Sequence, residues 1–279
     1  MTSRWKAPAE GHAWIMGVLN CTPDSFSDGG LFINSTSQLE HAEAMVVDGA
    51  AIIDVGGEST RPGSLPVEPQ EELKRVLPVI EALAEKKIPV SIDTSKAVVM
   101  RAAIAAGACM VNDVTALGGD PDSMVAVAES DVDVCLMHMR GTPLTMQHQV
   151  RYDDVVDEVV SFLESRVAAC IAAGVAKDRI VLDPGIGFGK RLQDNLDLIG
   201  SIPRLKRLGF PVLMGVSRKS FLGELSGSEV ADRESETAAA VTACVLAGAD
   251  ILRVHDVSAQ VRAIRVASAM QPLFAARLA

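Results

Sequence analysis

Eight short apolar runs recur along the chain, each rich in Val, Ile, Leu or Met and each followed by a polar loop. The runs are Trp14–Asn20, Ala51–Gly57, Pro89–Thr94, Cys109–Val114, Val132–His138, Ile180–Pro184, Pro211–Ser217 and Asp250–His255. Such runs are typical of parallel strands that are buried on both faces. Amphipathic stretches between them predict helices over Gln38–Asp48, Pro69–Lys86, Lys96–Ala106, Asp153–Ala173 and Glu234–Ala247. Four of these helices end at a glycine, as C-caps often do, namely Gly49, Gly107, Gly174 and Gly248.

Eight β/α units in one chain of 279 residues match the size of an eightfold barrel. The competing architecture is a doubly wound open sheet, which usually carries a glycine-rich dinucleotide turn after its first strand. The segment Asn20-Cys-Thr-Pro23 after the first run is not such a turn. We therefore predict an N-terminal extension over residues 1–13 and a single (β/α)8 TIM barrel domain, of the α/β class, over residues 14–279.

Composition narrows the class of protein further. The chain is 48% hydrophobic, which excludes intrinsic disorder. No uncharged stretch reaches the roughly 18 apolar residues of a membrane span, and the N-terminus lacks the apolar segment of a signal peptide, so we expect a cytoplasmic protein. A net charge of −10 without a basic patch argues against nucleic acid as a partner. The five cysteines show no C-x-x-C spacing, which argues against disulfides and structural zinc and favours burial in the core.

Polar or charged side chains follow every one of the eight runs. They are Asn20, Glu58, Arg61, Asp93, Asn112, Asp113, His138, Asp183, Ser217, Arg218, Lys219, Arg253 and His255. Barrel enzymes place their chemistry at the carboxyl ends of the strands. Strand ends need polar loops in any barrel, but Ser, Thr and Gly suffice for that purpose. This density of carboxylates, amides and cations therefore indicates a ligand site.

Three loops are rich in glycine. Segments 22–30 and 56–63 combine glycines with Asp, Thr and Arg, which predicts mobile loops that close over a substrate, with ordinary Pro/Gly turns as the alternative. Segment 183–190 predicts bare backbone that a ligand approaches closely. Its spacing fits neither a Walker A loop nor a dinucleotide fingerprint, so it names no ligand by itself.

The charges at the strand ends fall into two groups. Arg61, Lys219 and Arg253 indicate a phosphate or diphosphate site, because forked guanidinium groups suit such anions. The oxygens of Asp93, Asn112 and Asp183 suit the donor-rich edge of a neutral heterocycle, although pairing with nearby Lys and Arg is the structural alternative. The sequence lacks a nucleophile elbow, an H-E-x-x-H motif and a His/Cys metal cluster. His138 fits a core or pocket wall as well as it fits a catalyst.

Long contiguous motifs then make a family resemblance visible. They are Met16–Gly30, Asp54–Gly63, Ser91–Thr94, Asn112–Asp113, Met137–Met139, Asp183–Lys190, Gly215–Ser220 and Arg253–Asp256. At these positions the chain resembles the dihydropteroate synthase family, the folate-pathway enzymes that sulfonamides inhibit. The resemblance covers nearly the whole chain. It implies a pterin-binding barrel that joins p-aminobenzoate to 6-hydroxymethyl-7,8-dihydropterin diphosphate, with Mg²⁺, and releases 7,8-dihydropteroate and diphosphate.

The resemblance also implies roles for individual residues. The pterin pocket would consist of Asp93, Asn112, Met137, Asp183 and Lys219. The diphosphate would be bound by Asn20, Arg61, Arg253 and His255, with Asn20 also on Mg²⁺. The p-aminobenzoate pocket would be bounded by Thr60, Pro62, Phe188 and Ser220, the last receiving the carboxylate at a helix N-terminus. Lys219, Asp93 and Arg253 would act on the reacting groups.

The implied reaction is consistent with a sequence that lacks a nucleophile elbow and an H-E-x-x-H motif. An arylamine is neutral near pH 7 and already nucleophilic, so the site needs no strong base, and its main task is to stabilise the departing diphosphate. A homodimer formed through late barrel helices is also implied. Two alternatives stay open: a methyltetrahydrofolate methyltransferase, which has no diphosphate to bind, and a non-catalytic paralogue that only binds pterin.

Overall fold

Eight parallel strands close into a barrel in the computed structural model, which describes residues 4–5, 13–22, 31–147 and 150–278. The strands are β1 (Trp14–Asn20), β2 (Ile52–Gly56), β3 (Val90–Asp93), β4 (Met110–Asp113), β5 (Asp133–Met137), β6 (Ile180–Asp183), β7 (Leu213–Met214) and β8 (Ile251–Val254). Their order in the sheet is β6-β5-β4-β3-β2-β1-β8-β7. A parallel bridge between Leu182 and Val212 joins β6 to β7 and closes the ring. The predicted (β/α)8 barrel is confirmed, and the open sheet is excluded.

Helices pack around the outside of the strands. They are α1 (Leu31–Asp48), α2 (Pro69–Glu85), α3 (Ala97–Ala105), α4 (Ser123–Ala128), α5 (Val155–Ala172), α6 (Leu192–Gly200), α7 (Ile202–Lys206), α8 (Ser220–Ser226), α9 (Glu234–Ala247) and α10 (Val257–Leu278). The predicted helices correspond to α1, α2, α3, α5 and α9, although α1 begins well before Gln38. No helix within the described ranges is long and apolar enough to cross a membrane.

Local sequence explains where several helices begin and end. Pro69 stands in the first turn of α2, where its missing N–H costs no hydrogen bond. The side chain of Asp154 caps α5 by accepting the backbone N–H of Asp157 at 2.9 Å. The four glycines predicted to end helices all have positive φ, from 98° to 119°.

Strand β7 is shorter than the predicted run Pro211–Ser217. Pro211 has no N–H, and the N–H of Val212 is donated to the carboxylate of Asp250 at 2.8 Å. Because neither residue offers an N–H to the ladder, regular pairing begins only at Leu213.

Two apolar layers hold the barrel together. The larger layer lies between the strands and the helices, and it contains Cys21, Cys170 and Cys244 as buried free thiols. The smaller layer fills the lower interior of the barrel with Met16, Ile52, Met110, Cys135, Val181, Leu213 and Ile251. Trp5, from the predicted extension, packs on this smaller layer and is only 6% exposed. Its indole Nε1 donates to Asp133 at the start of β5, so the described part of the extension covers the amino end of the barrel.

Candidate active site

Strand alternation places a ring of polar side chains in the barrel mouth. Side chains two residues apart on a strand share a face, so the residues that follow the lower interior layer also face inward. Each member of that layer is followed, two or four residues further along the chain, by a residue on the same face. These residues are Asn20, Asp54, Asn112, Met137, Asp183, Ser217, Arg253 and His255. Asp93 joins them, because it pairs in register with Asn112. Four of the five predicted pterin residues, Asp93, Asn112, Met137 and Asp183, are therefore gathered in the mouth of the barrel.

Arg253 is held by two carboxylates in this ring. Its Nε lies 2.6 Å from Oδ2 of Asp54, and its Nη2 lies 2.8 Å from Oδ2 of Asp93. Asn112 Nδ2 donates to the same Asp54 oxygen at 3.0 Å. Asp54 is fully buried and was missed as a site residue by the sequence interpretation. The available signal was an acidic residue inside the apolar strand β2.

Burial and neighbouring charges shift the pKa values of Asp93 and Arg253 in this cluster. Burial raises the pKa of Asp93 to about 7, although Arg253 acts to lower it. Burial alone would lower the pKa of Arg253, but Asp54 and Asp93 outweigh that effect and raise it above its usual range. The guanidinium is therefore permanently charged, whereas Asp93 is close to its titration point at neutral pH.

Lys219 and Asp183 lie on the opposite side of the mouth from β2. The Lys219 ammonium lies 4.0 Å from the centre of the Phe188 ring, a cation–π contact. Burial lowers the pKa of Lys219 to about 8, with Arg253 adding to the effect and Asp183 opposing it. Asp183 accepts the backbone N–H of Gly185 at 2.7 Å, which fixes the orientation of its carboxylate.

A strained residue precedes Lys219. Arg218 has φ of 58°, a left-handed conformation that is uncommon outside glycine. Its Nε donates to Glu234 at 2.7 Å and its backbone N–H donates to Thr237 at 3.1 Å, both on α9. These contacts hold the turn between β7 and α8. The turn sends Arg218 outward and leaves Lys219 half-buried at the mouth.

His255 is a neutral donor among cations. Its Nδ1 lies 3.0 Å from the hydroxyl of Ser217, and that hydroxyl oxygen also accepts the backbone N–H of His255 at 3.2 Å. We assign the Ser217 hydrogen to Nδ1, which leaves the imidazole proton on Nε2. Burial, and then the charge of Arg253, lower the pKa of His255 to about 3. His255 therefore offers a hydrogen bond rather than a positive charge.

The loop after β2 is anchored at its base and open at its tip. Lys96 Nζ bonds Glu58 at 2.7 Å and the fully buried Glu72 at 2.5 Å. At the tip, Arg61 and Pro62 are exposed and Thr60 is half-buried. The positive charge of Arg61 nevertheless contributes to lowering the pKa of both Lys219 and His255, which places it at the same mouth.

Asn20 ends β1 and is half-buried. The predicted mobile loop that follows it lies mostly outside the described residues, at positions 23–30. Ser220, predicted to receive a carboxylate, is exposed at the first position of the short helix α8. Asn20 and Ser220 therefore both lie at the carboxyl-terminal end of the barrel.

Two of the three glycines in the segment after β6, Gly185 and Gly189, face the loop after β5. A Cβ on Gly185 would overlap the carbonyl oxygen of His138, and one on Gly189 would overlap that of Arg140. These two glycines are needed for contact with the loop after β5. Gly187 instead lies beside Lys219, where a Cβ would come within 3.1 Å of the lysine side chain, so bare backbone facing a ligand stays a prediction at Gly187. His138 is buried beside the rings of Tyr152 and Phe162, and its pKa is lowered to about 3 by burial and by the charge of Lys190, so it is a neutral core residue rather than an acid.

A cavity of about 480 Å³ opens beside Asp93, towards β3, β4 and β5. Among the predicted site residues, Glu58, Thr60 and Asp93 line it, together with apolar groups such as Val114 and Phe162. The cavity thus extends the mouth from Asp93 towards α5, on the side away from Lys219.

The fold and the mouth define a pterin-binding barrel. A sequence model of the family described as "Pterin binding enzyme" matches residues 16–255. The chain is 45% identical over 259 residues to dihydropteroate synthase of Escherichia coli K12, covering 92% of both chains. It is 48% identical over 262 residues to that of Neisseria meningitidis serogroup B, again covering 92% of both.

Solved structures give the same result. Dihydropteroate synthase of Xanthomonas albilineans with 4-aminobenzoic acid is 48% identical, with a TM-score of 0.87 over 93% of both chains. The Yersinia pestis enzyme with a sulfonamide drug complex is 42% identical, with a TM-score of 0.90 over 98% of this chain and 99% of that chain. The Burkholderia cenocepacia enzyme complexed with 7,8-dihydropteroate is 43% identical, with a TM-score of 0.84 over 96% of this chain and 94% of that one. The chain belongs to the dihydropteroate synthase family of transferases, so the resemblance seen in the sequence is confirmed.

Proposed function

We propose that this chain condenses 6-hydroxymethyl-7,8-dihydropterin diphosphate with p-aminobenzoate to give 7,8-dihydropteroate and diphosphate. The observation that carries the proposal is the guanidinium of Arg253, bonded to Asp54 and Asp93 at 2.6 and 2.8 Å beside Asn112. One end of this cluster offers acceptors for a heterocycle, and the other offers a fixed positive charge for an anion. Membership of the family supports the assignment.

The pterin lies among the inward side chains of β3 to β6. Asp183 accepts the amino and ring N–H groups of the pterin, and Lys219 donates to its carbonyl oxygen and a ring nitrogen. Asp93 and Asn112 bond the remaining polar edge, since they are adjacent in register. Met137 forms an apolar wall, because it pairs in register with Asp183 at the end of β5. The ring is thereby held by charge and shape at the same time.

The diphosphate lies above the pterin, at Arg253, Arg61, His255 and Asn20. Arg253 supplies a permanent charge, and His255 donates from Nε2. The carboxamide oxygen of Asn20 would help to hold Mg²⁺, which prefers oxygen ligands. No group of three His, Cys, Asp or Glu side chains that could hold a metal occurs among the described residues. When bound, Mg²⁺ neutralises charge that develops on the leaving group.

The condensation breaks one bond and forms one. The C–O bond between the pterin methylene and the diphosphate breaks, and the amine nitrogen forms the new C–N bond and loses a proton to solvent. Thr60, Pro62, Phe188 and Ser220 bound the place of the arylamine. Lys219, Asp93 and Arg253 contact the reacting groups, and the loop after β2 excludes water from the carbon that becomes electron-poor.

The test is diphosphate release by the purified chain given the pterin diphosphate and Mg²⁺, with and without p-aminobenzoate. Release that depends on p-aminobenzoate, with a product of the mass of dihydropteroate, is expected. Asp183→Asn should lose pterin binding in calorimetry, whereas the half-buried Asp178→Asn, at the other end of β6, should retain it. Tight pterin binding without any release would contradict the proposal and favour a methyltransferase or a non-catalytic paralogue.

We also propose that the chain is a cytoplasmic homodimer. Four large apolar side chains on one face of α10 stay exposed, namely Val266, Met270, Leu273 and Phe274. The spacing of these residues forms a continuous stripe, which a second copy of the chain would cover. Val266→Glu should shift sedimentation from dimer to monomer, whereas Val47→Glu, at an exposed position of α1, should not. Retention of the dimer by Val266→Glu would exclude this face, and fractionation of the source cells tests the compartment.

A further inference from the structure

Lys190 is a buried amine with a complete set of acceptors. The residue is 4% exposed and closes the loop 184–190 after β6. Its Nζ lies 3.0 Å from His138 Nδ1, 3.0 Å from the carbonyl oxygen of Phe188 and 3.3 Å from that of His138. An ammonium group has three N–H bonds, so each acceptor takes one. Since the pKa of His138 is lowered to about 3, all three acceptors are uncharged.

Such an environment is unfavourable for a charged amine. Burial lowers the pKa of Lys190 to about 7, with Lys219 and Arg140 contributing and the carboxylates of Asp183 and Asp194 opposing. An apolar side chain of similar length would fill the same space without this cost. Packing alone therefore does not explain a lysine at this position.

The amine joins two loops directly. Its contacts reach His138, after β5, and Phe188, in the middle of loop 184–190. Neighbouring contacts pin the rest of that loop: Tyr152 donates to the Gly189 carbonyl at 2.8 Å, and Asn195 accepts the Gly187 N–H at 2.7 Å. Phe188 is the member of the loop whose side chain reaches the site, because its ring lies against the Lys219 ammonium at 4.0 Å.

We propose that Lys190 is a positioning residue that holds Phe188 against Lys219 and thereby sets the shape of the arylamine pocket. The lysine contacts neither substrate. This inference rests on the proposed function, because it takes Phe188 as a wall of the p-aminobenzoate pocket.

The experiment compares Lys190→Met with the wild-type chain in the condensation reaction. Methionine keeps an unbranched stem and removes the amine. KM for p-aminobenzoate should rise at least tenfold, while the Kd of the pterin diphosphate, measured by calorimetry, should stay within twofold. Lys177→Met is the matched control, because Lys177 also rests near a phenylalanine ring, at 5.2 Å from Phe210, but at the amino end of β6. Both constants should be unchanged in that variant.

A double-mutant cycle tests whether Lys190 acts through Phe188. Phe188→Leu should raise KM for p-aminobenzoate by itself, and adding Lys190→Met should raise it no further. If circular dichroism shows that Lys190→Met is not folded, Lys190→Gln is the second variant, because it keeps a donor on a shorter stem. It should also raise KM for p-aminobenzoate, by less than Lys190→Met, and leave the Kd of the pterin diphosphate unchanged. In the folded chain, the ¹⁵N resonance of His138 Nδ1 should also move when the amine is removed.

The measurements distinguish failure of the proposed function from failure of the proposed role of Lys190. A wild-type chain that makes no dihydropteroate overturns the proposed function and this inference with it. An active wild type overturns the role of Lys190 alone when KM for p-aminobenzoate is unchanged in the variant. Equal weakening of both substrates, or additive effects in the cycle, shows a purely structural lysine and also overturns it.

Discussion

Asp54 Oδ2 accepts hydrogen bonds from Arg253 Nε at 2.6 Å and from Asn112 Nδ2 at 3.0 Å, so one buried oxygen orients both side chains. The other oxygen of Asp54 is buried without a hydrogen-bond partner among the residues that the structure describes. Asp54 therefore acts as a support for Arg253 and Asn112 at the base of the mouth.

Removal of this support should be costly. Asp54→Ala leaves Arg253 with one carboxylate partner, and breaking a buried ion pair costs about 3–5 kcal/mol of unfolding free energy. Glu129→Ala is the control, because its ion pair with Arg101 is exposed and should contribute less than about 1 kcal/mol. Urea denaturation measures both values. A cost for Asp54→Ala as small as that of the control would show that Arg253 does not depend on Asp54.

Replacing Arg253 by lysine should separate the two substrate groups. Lysine keeps the charge but lacks the fork that bonds Asp54 and Asp93 together. Affinity for the pterin diphosphate should fall at least tenfold more than affinity for a bare pterin, and calorimetry with both ligands measures the difference. Arg101→Lys, on the exposed pair, should change neither affinity. Equal losses for the two ligands would argue against contact between Arg253 and the diphosphate.

The pH profile should report on Lys219. Its pKa is lowered to about 8 by burial and by Arg253, and only the protonated form donates fully to the pterin. The kcat/KM for the pterin diphosphate should therefore fall above pH 8, because deprotonation removes the charge. Lys219→Arg should remove this descending limb, since guanidinium stays protonated, whereas Lys177→Arg should keep it. A limb that survives Lys219→Arg must be assigned to another group.

The packing of the glycine-rich loop predicts a stability difference between two glycines. Gly185 and Gly209 both have positive φ, of 71° and 87°, so alanine costs about 1–2 kcal/mol of backbone strain at either. Only Gly185 lies against a carbonyl oxygen, whereas nothing lies within 4 Å of a Cβ at Gly209. Gly185→Ala should therefore cost about 1–3 kcal/mol more, as overpacking does, in thermal or urea unfolding. Equal losses of unfolding free energy in the two variants would show that the loop after β6 moves to accommodate the added methyl group.

The barrel could be predicted well from the sequence because each of its strands is recognisable from a few consecutive residues. Each buried parallel strand is a short apolar run, and the carboxyl ends of parallel strands meet at one edge whatever the loops do. The missed elements have weak local signals. Helices α4, α7 and α8 have six, five and seven residues, too few to show periodicity, and α10 carries apolar side chains on its exposed face as well as its buried one.

Contacts between distant segments were harder to predict. The period of two along β2 could have placed Asp54 inside the mouth, but attention to strand ends alone passes over it. Two of the glycines after β6, Gly185 and Gly189, pack against the loop after β5, and the sequence does not show this because it does not tell which backbone a glycine faces. The role of Lys190 follows only once His138 and Phe188 are seen to be close to its amine.

The Trp5 indole and the apolar layer above it close the amino end of the barrel, so the interior of the described barrel opens only at the carboxyl ends of the strands. With the amino end filled, every molecule that reaches Asn112 and Asp183 enters and leaves by the same opening. We therefore expect the group that binds deepest to enter first and to leave last. We expect the arylamine and the diphosphate to pass through this opening while the proposed pterin site beneath them stays occupied.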